Sequence, residues 1–456
     1  EDDGKLVLAD PEGSPLAVLD ISERVFADSA STTLRLAGKV TALRAAEHGP
    51  FRGLRRSPAE VRAAFDGAPV LALATSRPLT RRHIGQLKHL TGQIRGASPN
   101  GASPNGVGQN GVSQNGASPQ AVRILLLPLV AGPAAVVRRP EALVRSVLAA
   151  ASQLPDSTVV VPVPLPVRGN PDEDLAAQAV VAAAYGASHV LTDRVGDVRS
   201  EEYKAFGVQI VTEPEWAYDP ASEVWRPLSL IEAGAERGEL SDGELGALLD
   251  AGDPVPAWLA PEPVAAELVR ARPPRSTRGV VVFMTGLSGS GKSTLARDLR
   301  DRLAERGDRT VSLLDGDQVR RLLSAGLTFS RADRDLNIMR IGYVATEVAR
   351  HGGIAICAPI APYADARAAV RSMVTEVADF VLIHVSTPLA ECEARDRKGL
   401  YAKARAGVIS SFTGISDPYE EPADADLAVD TSVLSRPDAV AAVLGLLTRG
   451  GWLPAS

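Results

Sequence analysis

One stretch, residues 280–306, limits what this chain can fold into more than any other. It opens on Val280-Val281-Val282-Phe283-Met284, an unbroken apolar run of the kind found in a parallel strand covered on both faces. Gly286-Leu287-Ser288-Gly289-Ser290-Gly291-Lys292-Ser293-Thr294 follows, with the spacing GxxxxGK(S/T), and 295–306 then reads as a helix. Strand, glycine-rich turn and helix in that order let backbone N–H groups and a helix N-terminus converge on phosphate oxygens. Lys292 is placed to reach the β- and γ-phosphates of a nucleoside triphosphate, and Ser293 to ligate Mg²⁺. The bare string arises by chance in about one or two chains per hundred of this length. Its strand and helix make it the phosphate site of an α/β P-loop kinase.

The residues that follow carry polar chemistry toward that loop. A strand at 310–314 ends in Asp315-Gly316-Asp317. Two carboxylates at the carboxyl end of a parallel strand lie where Mg²⁺ and an attacking hydroxyl are expected, although Asp-Gly-Asp is also good turn chemistry. Arg320, Phe329, Arg334, Asn337 and Arg340 then offer cations for anionic oxygens and a ring for a base, and read as an acceptor site beside the loop. The basic run Arg395 to Arg405 contains Gly399 and reads either as a lid over phosphates or as an ordinary charged helix.

Bulk properties exclude several alternatives. Acidic residues outnumber basic ones, 55 to 49, and the net charge of −6 argues against a broad basic surface for nucleic acid. No apolar run reaches the ~18 residues that a membrane span needs. Cys357 and Cys392 belong to no CxxC or Cys/His cluster, so they read as two buried thiols in a reducing cytoplasm. The opening Glu1-Asp2-Asp3-Gly4 is no signal peptide and reads as mid-domain sequence, with residues expected ahead of it.

The rest of the chain also alternates strand and helix. Short strands appear at 6–8 and 34–40, a buried strand at 70–73, then strands at 124–127, 159–161 and 189–191, with helices near 140–152 and 173–185. Residues 96–120 repeat a five-residue unit without charge or apolar bulk, and read as a flexible surface insertion. Prolines 254, 256, 261, 263, 273 and 274 flank a helical piece at 264–271, and 253–275 reads as a linker region.

Taken in order, GLSGSGKST at 286–294, DGDQVR at 315–320, GLTFSRADRDLNIMRIGYVA at 326–345, RDRKGLYAKAR at 395–405 and FTGISDPYEEP at 412–422 resemble the successive blocks of the adenylylsulfate kinase (APS kinase) family. The resemblance implies transfer of the γ-phosphate of ATP to the 3′-hydroxyl of adenosine 5′-phosphosulfate (APS), with ATP and Mg²⁺ as cofactors. It assigns Lys292 and Asp317 to catalysis, Asp317 as base for the 3′-hydroxyl or as partner of Mg²⁺ together with Ser293. Gly286, Ser288, Gly289, Ser290, Gly291, Lys292, Ser293, Thr294 and Arg395 would hold ATP. Arg320, Arg334 and Asn337 would hold the phosphosulfate and ribose, and Phe329 and Phe412 would sandwich the acceptor adenine. Asp315, Ile360 and Lys398 complete the acceptor set, Lys398 from the lid. The family also implies a homo-oligomer, dimer or higher. Where many members have a serine, this chain reads Ile360-Ala361-Pro362. That serine is associated with a phosphorylated intermediate, a route closed to Ala361, so direct in-line transfer is expected.

The region before the kinase blocks is similar to ATP sulfurylase, with losses. Ala74-Thr75-Ser76-Arg77-Pro78-Leu79-Thr80-Arg81-Arg82-His83 aligns with the family pattern QTRNPxHRxH, where only His83 survives of the histidine pair. Gly186-Ala187-Ser188-His189 matches a GATH block, the following GRDH has become Asp193-Arg194-Val195-Gly196, and a family arginine falls at Gly246. Losing one transition-state donor costs orders of magnitude in rate, so a catalytically dead half is expected. A bifunctional enzyme and a nucleotide-binding regulator are the alternatives. The expected layout is a PUA-like β-rich piece at 1–60, a degenerate Rossmann-like nucleotidyltransferase-type α/β domain at 61–215, a sulfurylase-like piece and linker at 216–275, and a P-loop kinase at 276–456.

Overall fold

The computed structural model describes residues 4–10, 12–26, 34–44, 49–96, 121–132, 136–137, 139–192, 203–409 and 411–454, without the side chains of Val25, Phe26, Arg35 and Asp317. Residues 97–120 of the repeat and the segment 193–196 lie outside the described residues. The chain divides into two compact units, Glu1–Glu60 and Val61–Ser456.

In the first unit β1 (Lys5–Ala9), β2 (Pro15–Phe26) and β3 (Leu34–Ala42) form an antiparallel sheet in that order. Leu19 stands opposite Leu6 on one side and Val40 on the other, so these three share one face.

The second unit holds two parallel sheets. α1 (Pro58–Phe65) contributes Val61 and Phe65 to its core. Then come β4 (Val70–Thr75), α2 (Arg81–Gly96), β5 (Arg123–Pro128), α3 (Pro140–Ala151), β6 (Val159–Val160), α4 (Pro171–Ala184), β7 (His189–Thr192) and β8 (Gln209–Thr212). The strands run parallel in the order β6-β5-β4-β7-β8. A hairpin of β9 (Trp216–Asp219) and β10 (Val224–Pro227) follows, then α5 (Asp242–Ala251) and α6 (Glu262–Ala271). Ser241 and Glu244 close a capping box at the start of α5.

The proline-rich stretch expected to be a linker is a packed element. α6 starts beside Pro261 and Pro263, where a missing N–H costs no helical bond. Its Val264 and Leu268 are buried in the same core as Leu71 of β4 and Leu143 of α3. Prolines here punctuate a helix and do not loosen the chain.

The second sheet comprises β11 (Val280–Thr285), α7 (Lys292–Arg306), β12 (Val311–Asp315), α8 (Gly316–Leu322), α9 (Arg331–Arg350), β13 (Ile354–Ala358), α10 (Ala364–Thr375), β14 (Asp379–Val385), α11 (Leu389–Arg395), α12 (Leu400–Arg405), β15 (Leu427–Val429) and α13 (Arg436–Arg449). Its strands run parallel in the order β12-β13-β11-β14-β15. β11 is central and buried along its length, which is why it is apolar at every residue before Thr285. The strand order reverses around β11, and the crevice beyond the carboxyl ends of such strands is where ligands bind in open α/β sheets.

An ionic hub joins the two sheet regions. Asp250 of α5 accepts from Arg272 at 2.6 Å and from Arg278 at 2.8 Å, and pairs with Arg275 at 3.3 Å. Arg278 also binds Asp379 at the start of β14 at 2.7 Å, and the Trp452 indole donates to the same carboxylate at 2.9 Å. Burial alone would raise the Asp250 carboxyl, but the hydrogen bonds and charges of Arg272 and Arg278 hold it well below the usual range. Among the described residues no helix is long and apolar enough to cross a membrane.

Candidate functional site

β11 delivers the glycine-rich loop to the sheet's carboxyl edge. Thr285 Oγ1 donates to the Ile360 carbonyl at 2.7 Å, and the Gly286 amide donates to the same oxygen at 3.3 Å. Ile360 thus meets the loop through its backbone. Gly286 has φ 150°, and a Cβ there would sit 2.4 Å from the Val385 carbonyl, so only glycine fits. Gly291, at φ 101°, caps α7 and packs on Thr431. Gly289, Ser290 and Thr294 complete the turn, and the Thr294 amide donates to the Gly291 carbonyl at 3.1 Å.

Lys292 opens α7, and its ammonium donates to the Gly286 and Leu287 carbonyls at 2.9 and 2.7 Å. Those are weak neutral acceptors; phosphate oxygens would compete for the same N–H groups with full charge. Ser293 Oγ donates to Asp315 Oδ1 at 3.4 Å, and Arg297 holds Asp315 Oδ2 at 2.8 Å. Asp315 ends β12 and is buried. The expected metal pair was Ser293 with Asp317; the Asp317 backbone lies in α8, and its side chain is outside the described residues. A hydroxyl beside a carboxylate is a hard oxygen set that suits Mg²⁺. Among the described residues there is no cluster of three or more His, Cys, Asp or Glu side chains able to hold a metal.

The basic segment closes on the loop from the other side. Arg395, at the end of α11, donates to Thr431 Oγ1 at 2.7 Å and to the Gly289 carbonyl at 3.4 Å. Gly399, with φ 61°, starts α12. Tyr401 on that helix donates its hydroxyl to the Ser288 carbonyl at 2.8 Å and sets its ring edge-on against Phe412 at 4.9 Å. Burial pushes the Tyr401 hydroxyl pKa up, so it stays a neutral donor. Sequence reasoning singled out the basic residues of this segment and missed Tyr401. The available signal was a single aromatic in a run of charges. Lys398 stands on the exposed turn between α11 and α12.

The expected acceptor residues are distributed unevenly. Phe329 is 61% exposed just ahead of α9, and the Arg320 guanidinium covers its ring at 4.2 Å. Phe412 is buried beside Tyr401 and Cys392. Asn337 is 7% exposed, and its Oδ1 has no hydrogen-bond partner among the described residues. Arg340 donates to the Leu323 carbonyl at 2.8 Å and anchors the turn after α8. Arg334 is taken up by protein acceptors, at 2.9 Å by the Phe329 carbonyl and at 2.6 Å by Asp417. Ala361, where a serine was the alternative, has φ 45°, and its carbonyl accepts from Thr285 at 3.1 Å and Arg367 at 2.8 Å.

The earlier sheet bears a second polar cluster. Arg77 pairs with Asp242 at 2.6 Å, and Arg82 with Glu239 at 2.7 Å. Thr80 Oγ1 is hydrogen-bonded to Glu239 and lies 2.9 Å from His83 Nδ1. Arg77, Thr80, His83, Glu239 and Asp242 line one shared pocket. Burial would raise the Glu239 carboxyl, but His83 and Arg82 outweigh it and hold it below the usual range. At Gly246 a Cβ would meet the Arg272 guanidinium at 3.0 Å, so the glycine lets that guanidinium, which serves Asp250, pack closely on α5.

Residues 278–430 match the family model described as adenylylsulphate kinase. The chain is 34% identical over 444 residues to a sulfate adenylyltransferase of Chaetomium globosum, covering 91% of this chain and 72% of that one. It is 33% identical over 481 residues to a sulfate adenylyltransferase of Aspergillus oryzae, covering 99% and 77%. Among solved structures, a hexameric APS kinase from Thiobacillus denitrificans aligns with a TM-score of 0.74 at 34% identity, covering 99% of this chain and 81% of that one.

Proposed function

We propose, for a chain that belongs to the sulfate adenylyltransferase family and carries an adenylylsulphate kinase domain over residues 278–430, that its working site is the kinase site alone. In that domain the chain is an ATP-dependent phosphotransferase of sulfate metabolism. The reaction we assign is ATP plus APS giving ADP plus 3′-phosphoadenosine 5′-phosphosulfate. The observation that carries it is the contrast between two clusters. Around the P-loop, Lys292 and Ser293 stand at a helix N-terminus, and Ser293 is hydrogen-bonded to Asp315. In the 61–275 region Arg77 is paired with Asp242 and Arg82 with Glu239.

The loop amides and Lys292 would bind and orient the triphosphate, with Lys292 exchanging loop carbonyls for phosphate oxygens. Asp317 would take the proton of the 3′-hydroxyl. Asn337 and Arg320 would orient the acceptor, and Phe329 and Phe412 would hold its adenine. Mg²⁺, when bound, supplies charge neutralisation at the phosphates, and Ser293 with Asp315 or Asp317 would hold it. Ala361 offers no hydroxyl, which supports direct transfer between the two substrates. Positioning and electrostatics suffice for such a transfer.

The same reading divides the chain at 1–60, 61–215, 216–275 and 276–456, takes it to be cytoplasmic, and makes it a homo-oligomer, in keeping with the hexameric relative. A second reading, a bifunctional enzyme making and then phosphorylating APS, is favoured by the sulfate adenylyltransferases that align with both halves of the chain. Two assays on the full chain separate them. Coupled ADP release with ATP and APS is expected to be robust, and its absence would sink the kinase reading. Pyrophosphate release with ATP and sulfate is expected to be at background, and clear turnover there establishes the bifunctional enzyme.

A further inference from the structure

We infer, on the reading of this site as an APS site, that Thr285 and Tyr419 are positioning residues for the acceptor: their hydroxyls hold the turn at Ile360-Ala361, and with it the isoleucine assigned to the acceptor set. Ala361 has φ 45° and is buried. That left-handed region is sterically costly for an alanine and open to a glycine. Such a conformation persists only where the surroundings over-determine it, and here they do. Thr285 Oγ1 donates to the Ile360 and Ala361 carbonyls, at 2.7 and 3.1 Å. The Gly286 amide adds a second bond to the Ile360 carbonyl at 3.3 Å. Arg367 of α10, itself buried, adds a second to the Ala361 carbonyl at 2.8 Å.

Thr285 is fully buried, and its hydroxyl has one proton and two lone pairs. Both carbonyls can only accept, so that proton is shared between them. The Tyr419 hydroxyl, 3.0 Å from Thr285 Oγ1, is therefore the donor of its pair. Burial pushes the Tyr419 hydroxyl pKa up, so it keeps the proton it donates. Each hydrogen bond in such a chain polarises the next. The Tyr419 ring is stacked on His384, with centroids 5.9 Å apart, and His384 stands opposite Thr285 in the pairing of β11 with β14. Tyr419 belongs to the 412–422 block that also carries Phe412. The next residue ties that block to the same turn again. The Glu420 amide donates to the Pro362 carbonyl at 2.9 Å, and the Glu420 carbonyl accepts from Arg367 at 2.8 Å. One threonine oxygen thus joins the strand that delivers the phosphate loop, the Ile360 turn and the acceptor block.

The test is coupled ADP release by the full chain, with ATP and APS varied in turn. T285A removes the shared proton and is expected to raise KM for APS about tenfold, the worth of a buried hydrogen bond, with KM for ATP within about twofold of the parent. T285S restores the hydroxyl and should restore KM for APS. Y419F keeps the ring on His384 and should raise KM for APS about threefold. A361G discriminates, because a glycine holds the left-handed turn without help. Added to T285A it should recover most of the lost KM for APS. If T285A raises both KM values alike, or lowers kcat while sparing KM for APS, Thr285 does not position the acceptor. If A361G recovers nothing, the turn is not what the hydroxyl holds. Should thermal melts show T285A unfolded, Y419F alone and with A361G decides: a raised KM for APS that A361G recovers supports the inference, and an unchanged or unrecovered value overturns it. Absence of wild-type ADP release would remove the APS reading itself, a result distinct from any of these.

Discussion

Lys292 shows how one side chain holds two sets of partners. Without phosphate it satisfies its donors on the carbonyls of the loop it helps to shape. These bonds restrain the loop, but the loop's path depends on glycines 286, 289 and 291 at positive φ. Lys292→Ala is therefore expected to leave a folded domain whose ADP release with APS falls by about 10²-fold or more, the usual cost of losing one transition-state donor. Thermal melts of the variant and the parent check the first half of the expectation, and coupled kinetics the second. Asp317→Asn should reduce transfer severely in the same assay.

At the scale of elements, α12 is tied to the phosphate loop and to the acceptor aromatics through one residue. The Tyr401 hydroxyl reaches the Ser288 carbonyl, and its ring edge meets Phe412. Removing the hydroxyl alone loosens α12 from the loop and leaves the ring packing. Tyr401→Phe is expected to raise KM for ATP about three- to tenfold, the worth of a neutral hydrogen bond, with KM for APS little changed. Tyr401→Ala should raise both constants, because Phe412 loses its edge-on neighbour. Steady-state kinetics with each substrate varied in turn separate the two outcomes.

For the whole second unit, the decisive feature is the hub at Asp250. It gathers Arg272, Arg275 and Arg278, and Arg278 continues to Asp379 in the other sheet region. Asp250→Asn leaves Arg272 and Arg275 without their main counter-charge and should destabilise the unit by about 2 kcal/mol, the worth of a hydrogen bond to a charged group. The Asp250 pKa is depressed in the folded state, so its contribution is complete above the unfolded carboxylate value of about 3.9. It is lost as pH falls through the lower folded value. The stability gap between parent and variant in urea titrations should thus be full at pH 7 and narrow below about pH 4. A gap that persists undiminished at low pH contradicts the assignment.

By itself the sequence determined what depends on near neighbours. Apolar runs such as 280–284 and 124–127 specify buried parallel strands, and the spacing of Gly286, Gly291 and Lys292 specifies a phosphate loop, because strand burial and turn geometry are set within a few residues. The expected linker failed for a related reason, since proline composition says where a helix starts but not whether its apolar face finds a core. Tertiary structure alone decided the pairings across long separations. It brought Asp315 to Ser293 and bonded Arg334 to acceptors up to 83 positions away. It also joined Tyr401 to a loop 113 positions earlier and set Arg272 against Gly246. A guanidinium or hydroxyl is polar wherever it lies in the chain, and what it does is fixed by which acceptors the packed sheets place within about 3 Å of it.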